Sequence, residues 1–283
     1  EVLRRFVKGV TQSGDTGVSH ASRDLVECDT AVIQGWVHAG SPRSPHLELR
    51  RRVAANTHNQ NTVIIDSNLF RYTGREHPHY SRYSVNGVFP TTGFYFDKAV
   101  DPARWQQIQK DQRVCLKDWQ PRGDSILICT QRNGGWSMSG LDVIEWLKNT
   151  IQELRKHTDR PIVVRGHPGD KRAAQYLNFK KSNRLYTLSN RPNLLDDFNR
   201  ARAVVTYNSS PGVAAAIEGI PVFVTDVEPR NSQAYPVANT ALNRIEDPEL
   251  YERQDWIERV CMSHWKFDEL ESGAAWQHMR KYL

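Results

Sequence analysis

The chain has 283 residues, 39% of them hydrophobic, 10% aromatic and 25% charged, a composition that supports one large folded core or two smaller ones and excludes disordered and fibrous classes. Lysine and arginine outnumber aspartate and glutamate by 38 to 32, and the net charge of +6 favours phosphate-bearing partners without selecting one. No apolar run approaches the ~18–20 residues that span a bilayer, so a soluble, cytoplasmic protein with no membrane partner is expected.

The four cysteines, Cys28, Cys115, Cys129 and Cys261, lie far apart without a CxxC pair or a Cys-His spacing, which argues against structural zinc and a disulfide framework. The first half has a loose rhythm. Thr30 to Val37 reads as a strand, Pro45 to Asn56 as a basic helix carrying Arg50, Arg51 and Arg52, and Thr62 to Ile65 as a second strand ending at Asp66-Ser67-Asn68. Tyr80 to Phe96 shows no period and reads as loop or β structure under a pocket. Asp101 to Arg122 reads as a helix and a linker. The domain boundary is placed near Asp118 to Asp124, giving domains 1–120 and 121–283.

The second half alternates short β-branched runs with amphipathic stretches, the pattern of a parallel α/β sheet. Strand Ser125 to Thr130 leads into the turn-rich Gln131 to Ser139. A helix follows with Leu141, Ile144, Leu147, Ile151 and Leu154 at three- and four-residue steps, and Ser139 with Asp142 resembles a capping box. Strand Ile162 to Arg165 opens onto Gly166-His167-Pro168-Gly169, with a helical segment at Lys171 to Leu177. A short strand at Arg184 to Leu188 and a helix at Asn193 to Arg202 come next. Strand Ala203 to Thr206 opens onto Tyr207-Asn208-Ser209-Ser210, before a small-residue helix Val213 to Glu218 and a strand Pro221 to Thr225. Right-handed crossovers make this a doubly wound sheet with its loops collected at the carboxyl ends of the strands. Residues Asp255 to Leu283, with Trp256, Trp265 and Trp276, read as helices closing across both halves.

Three of those loops carry anion-binding chemistry. The first offers Gln131, Arg132 and the small Gly134-Gly135, the second Arg165 and His167, and the third Asn208, Ser209 and Ser210 at the start of a helix. Together they describe a phosphate or nucleotide site. Trp136, inside the first loop, is placed to cover a donor base or sugar. Neither a Walker loop nor a GxGxxG fingerprint is present, which argues against an ATPase and a dinucleotide dehydrogenase.

The order strand-Gln131-Arg132, strand-His167-Pro168, strand-Tyr207-Asn208-Ser209-Ser210, followed by Ala214 to Pro221, resembles the nucleotide-sugar half of GT-B glycosyltransferases of the capsular-polysaccharide, sialyl and Kdo type. It also resembles related phage enzymes that modify hydroxymethylated DNA bases such as 5-hydroxymethylcytosine. Two departures stand out: Gly166 replaces the Lys-Pro that often precedes the His, and the first half is short.

The resemblance implies two Rossmann-like doubly wound domains facing a cleft, with the C-terminal helices crossing between them. It implies a metal-independent transferase of the hexosyl type. Its donor would be a UDP-sugar, with a CMP-sugar as alternative, and no further cofactor. Gln131, Arg132, Gly135, Trp136, Arg165, His167, Tyr207, Asn208, Ser209 and Ser210 would bind that donor, and Glu218 would hold its ribose or sugar hydroxyls.

The first half then holds the acceptor and general base. Asp66 is the expected base and Asp97 a weaker candidate. Asn68, Arg71, Arg82, Tyr83 and Asn86 are expected at the acceptor, with Arg75 and Tyr80 in the same cationic and aromatic mixture. Hydroxymethylated DNA is the favoured acceptor, which would place a phage-encoded enzyme in the host cytoplasm. The alternatives are a surface-glycan transferase, a nucleotide-sugar epimerase and a non-catalytic nucleic-acid-binding protein.

Overall fold

A computed structural model describes residues 1–20, 24–37, 45–55, 59–74, 78–93, 96, 98–120, 123–177 and 185–283. Asp97 and Arg75 lie outside them, as does the side chain of Trp136. Two compact units result: the first joins Glu1–Gln112 to Glu258–Leu283, and the second is Arg113–Ile257. The expected boundary near residue 120 thus stands at residue 112, and the final segment, read from sequence as part of the second domain, groups with the first.

The first unit begins with α1 (Val2–Gln12), β1 (Cys28–Gln34), α2 (Pro45–Ala54), β2 (Asn59–Ser67), β3 (Tyr80–Val85) and α3 (Pro102–Gln112). The second contains β4 (Ser125–Cys129), α4 (Val143–Leu154), β5 (Ile162–Arg165), α5 (Ala173–Leu177), β6 (Thr187–Leu188), α6 (Leu194–Phe198), β7 (Ala201–Thr206), α7 (Pro211–Ile217) and β8 (Val222–Val224). The chain returns along α8 (Gln254–Met262) to β9 (His264–Lys266), α9 (Phe267–Glu271) and α10 (Ala274–Met279). Among the described residues no helix is long and apolar enough to cross a membrane.

The second unit is a five-stranded sheet in the order β6-β5-β4-β7-β8 with every pair parallel. Ile126, Leu127 and Ile128 on β4 and Val204 and Val205 on β7 are fully buried, as expected of central strands covered on both faces. α4 lays Trp146, Leu147, Ile151 and Leu154 on this sheet. Its N-cap is Asp142, whose carboxylate accepts the N–H groups of Ile144 and Glu145 at 2.8 and 3.1 Å; Ser139 sits outside the helix at φ +52°. Gly219 ends α7 at φ +79°, and a Cβ there would stand 2.0 Å from the Asp118 carbonyl oxygen, so only glycine fits.

The first unit departs from the expected doubly wound arrangement. Its sheet runs β1-β2-β3-β9 with only β1 and β2 parallel; β3 is antiparallel to both β2 and β9. Parallel pairing needs a crossover of a dozen or more residues, usually a helix. The β2 to β3 link holds only the 3₁₀ turn Arg71–Thr73 among its described residues, so the chain doubles back. The core gathers Phe6 and Val10 from α1, Val63 and Ile65 from β2, Tyr83 and Val85 from β3, and Trp265, Leu270 and Met279 from the C-terminal segment.

Candidate functional site

The strand order of the second unit reverses between β4 and β7, and in such sheets the ligand crevice opens beyond the carboxyl ends of the two strands at that point. Gln131, just past β4, and Asn208, just past β7, meet there: the Asn208 N–H donates to Gln131 Oε1 at 3.1 Å. Gln131 Nε2 donates to Ser137 Oγ at 2.6 Å, and Asn208 Nδ2 donates to the Ser137 carbonyl at 3.0 Å. The loop after β5 joins the same cluster, because the Asn133 N–H donates to Asp170 Oδ2 at 3.0 Å. Three loops distant in sequence are therefore stitched directly to one another.

Within that cluster the polar groups divide into those that are committed and those that are available. Arg132 is exposed, its side chain forms no hydrogen bond or ion pair among the described residues, and it stands close enough to His167 for its charge to act there. The tight turn at Arg132 to Gly135 closes with the Gly135 N–H on the Arg132 carbonyl at 3.0 Å. His167 is half-buried, and its Nδ1 accepts the Gly169 N–H at 3.0 Å, so the neutral ring carries its proton on Nε2 and offers it as a donor. Burial holds the His167 pKa below its ordinary value; the Asp170 carboxylate opposes this, and Arg132 adds to it.

On the turn after β7, the Ser209 hydroxyl is buried without a hydrogen-bond partner, as is the Thr206 hydroxyl before it. Burial, reinforced by Asp226, pushes the Tyr207 phenol up to about 12, so it stays protonated. Orphaned polar atoms in a crevice mark where a ligand's own polar groups would be received. α7 is a short helix of seven residues, so the anion-binding capacity here rests on the hydroxyl and the N–H groups of Ser209 and Ser210 more than on a helix dipole.

Two expected donor residues are placed elsewhere. Arg165 is spent on the fold: its guanidinium donates to Asp197 Oδ2 at 2.6 Å and to the carbonyls of Arg191 and Pro192 at 3.0 and 3.2 Å. Glu218 is buried at the far end of α7, roughly 12 Å along the helix from Ser210 at 1.5 Å per residue, and it is paired with Lys117. Sequence reasoning missed Asp226, which follows β8 by two residues and accepts Asn208 Nδ2 at 2.6 Å. Its position just past a strand, like those of Gln131 and Asn208, was the available signal.

In the first unit a cavity of about 650 Å³ opens at the carboxyl end of β2, lined among others by Asp66, Asn68, Arg71, Arg50, His79 and Tyr80. Asp66 Oδ1 accepts the Ser67 N–H at 2.7 Å, and Oδ2 forms a 2.6 Å ion pair with Arg82, the residue opposite it on β3. Arg82 therefore sits behind Asp66 with its side chain buried. Arg71 is exposed at the rim. Asn68 lines the cavity but its side chain is engaged, accepting the Phe70 N–H at 2.8 Å.

Tyr83 and Asn86 lie away from this cavity. Tyr83 is fully buried in the core, stacked on Phe6 at 6.1 Å. Asn86 sits at the opposite end of β3, at φ +52°, where it accepts the Thr62 N–H at 2.7 Å and donates to Asn61 at 2.6 Å. Behind Arg82, the wholly buried His264 donates from Nδ1 to the Val260 carbonyl at 2.8 Å and accepts the Leu69 N–H on Nε2 at 3.3 Å. Burial pushes its pKa down to about 3, so it is neutral and structural. Among the described residues no group of three or more His, Cys, Asp or Glu is gathered as a metal site.

No family model matches the chain, and no curated protein matches it. Several solved structures resemble it. One is the beta Kdo 2,4 transferase of Thermosulfurimonas dismutans KpsC, with 13% identity, 94% of this chain and 89% of that chain covered, and a TM-score of 0.58. Another is the beta Kdo 2,7 transferase of the same protein, with 15% identity, 82% and 75% covered, and a TM-score of 0.50. At these identities the likeness is one of fold, and it extends over nearly the whole chain.

Proposed function

We propose that the protein is a glycosyltransferase that binds a nucleotide-sugar in the crevice of its second unit and transfers the sugar to a hydroxyl of a glycan. The observation that carries this reading is the convergence of three loops at the β4/β7 reversal, with Arg132, the His167 Nε2–H and the Ser209 hydroxyl left unspent. The fold shared with two Kdo transferases supports it. In the reaction the acceptor oxygen bonds to the anomeric carbon as the bond from that carbon to the donor phosphate breaks. Asp66 takes the acceptor proton, and Arg132, His167 and the Ser209-Ser210 N–H groups meet the charge on the departing phosphate.

A glycan acceptor fits the first unit better than a flipped DNA base. Of the residues expected at a base, Arg82, Tyr83 and Asn86 are held by an ion pair, the core and a turn, while Asn68, Arg71 and Tyr80 line the cavity. Two measurements test the proposal. UDP, CMP and a panel of UDP- and CMP-sugars are screened for thermal stabilisation, and products are weighed after incubation with oligosaccharide acceptors and with a hydroxymethylated DNA oligomer.

Stabilisation by a nucleotide together with a heavier oligosaccharide is the expected outcome, and Asp66→Ala should retain nucleotide binding while losing transfer. A modified DNA product overturns the glycan acceptor. Absence of stabilisation by every nucleotide, with steeply salt-dependent DNA binding instead, overturns the transferase reading altogether.

A further inference from the structure

The turn that presents Ser209 and Ser210 is fixed by the residue before it. Asn208 is 4% exposed and uses all its donors: its N–H goes to Gln131, and Nδ2 goes to both the Ser137 carbonyl and Asp226. Asp226 is itself 4% exposed. Its Oδ1 accepts the Glu228 N–H at 3.0 Å, and its Oδ2 accepts Asn208 Nδ2 at 2.6 Å and Asn231 Nδ2 at 3.2 Å. A buried carboxylate is tolerated only when its oxygens are hydrogen-bonded, and charge-assisted bonds of this kind are short and directional. The loops after β4, β7 and β8 are therefore locked together through one amide and one carboxylate. The groups that remain on the turn, the Ser209 and Ser210 N–H and the Ser209 hydroxyl, inherit their direction from that lock.

We propose that Asp226, acting through Asn208, is a positioning residue for the turn that grips the donor phosphate. This rests on the crevice being the nucleotide-sugar site. Asp226→Asn tests it with little change of volume. Both carboxylate oxygens accept from N–H donors, so an amide at this position turns its own NH₂ against either Glu228 or Asn208, and in either orientation the link to Asn208 loses the charge that makes it strong.

The experiment measures dissociation constants for UDP and CMP by calorimetry, steady-state KM and kcat for the donor, and melting temperature. It compares the full-length protein with Asp226→Asn, Asn208→Ala and the double variant. The expected result for Asp226→Asn is roughly tenfold weaker nucleotide binding and a matching rise in donor KM, with kcat within about twofold. Its melting temperature should fall by no more than a few degrees. Asn208→Ala should show a similar loss and the double variant no more than the worse single one, because both act through one bond.

Wild-type affinity in Asp226→Asn overturns the positioning role while leaving the donor site standing, and so do losses that multiply in the double variant. If the wild-type protein itself binds neither nucleotide, the donor reading and this inference fall together. Should Asn208→Ala fail to fold, the Asp226→Asn comparison decides alone.

Discussion

Arg132 and His167 show how two side chains prepare a site before any ligand arrives. The ring of His167 is kept neutral by burial, and the nearby guanidinium adds to that effect. Removing the guanidinium in Arg132→Ala should therefore raise the His167 pKa, read by NMR titration of the ring proton; an unchanged or lower value would show that the two do not interact. The same variant should weaken nucleotide binding by about 10–100-fold, the loss expected for a charge-assisted contact worth roughly 1.5–3 kcal/mol. His264 makes a contrasting prediction. Its pKa is about 3 in the folded chain against an ordinary value of 6.5, so between those limits the unfolded chain binds a proton that the folded chain does not. Stability is then lost as pH falls through this window, with a slope of up to about 1.4 kcal/mol per pH unit from this one group. His264→Gln removes that slope. Urea unfolding should show the variant less stable at pH 7 and the gap narrowing towards pH 4; a constant gap would contradict the assignment.

Helices and strands were legible where their partners are near in sequence. β4, β5, β7 and β8 announce themselves as apolar runs bounded by polar loops, since a parallel strand covered on both faces needs no alternation. The same rhythm put Gln131, His167 and Ser209 just past strand ends, so most of the residues that gather at the β4/β7 reversal could be read in advance. The fate of Arg165 could not, because its partner Asp197 is 32 residues away and nothing local reveals the ion pair. β9 was hidden for the same reason. It has three residues inside an otherwise helical stretch, and it is a strand only because β3, far back in the chain, pairs with it. α1 also escaped notice, and its packing is tight enough to test. A Cβ on Gly9 would lie 1.8 Å from the Leu270 carbonyl oxygen on α9. Although alanine favours helix, Gly9→Ala should destabilise the protein by about 2–3 kcal/mol or more, because the two backbones must separate. By comparison, Asp142→Ala, which removes a side-chain cap on exposed ground, should cost about 1 kcal/mol. Chemical unfolding of both variants checks the ranking.

For the whole molecule, the discontinuous first unit sets the terms of any dissection. A chain stopped at Ile257 keeps every strand of the second sheet, along with the β4/β7 reversal and the lock between Asn208 and Asp226. It loses β9, α9 and α10, and with them the strand against β3 and the core residues Trp265, Leu270 and Met279. β3 would become an open edge with unpaired N–H and C=O groups, and Phe6, Val10 and Tyr83 would lose much of their cover. The truncated protein should therefore show a cooperative transition and nucleotide binding from residues 113–257 while residues 1–112 are digested under limited proteolysis; transfer should be abolished, since Asp66 lies in the digested part. Protection of residues 1–112 in the truncated chain would show that the first sheet stands without its C-terminal strand. Loss of nucleotide binding would show instead that the second unit does not carry the donor site by itself.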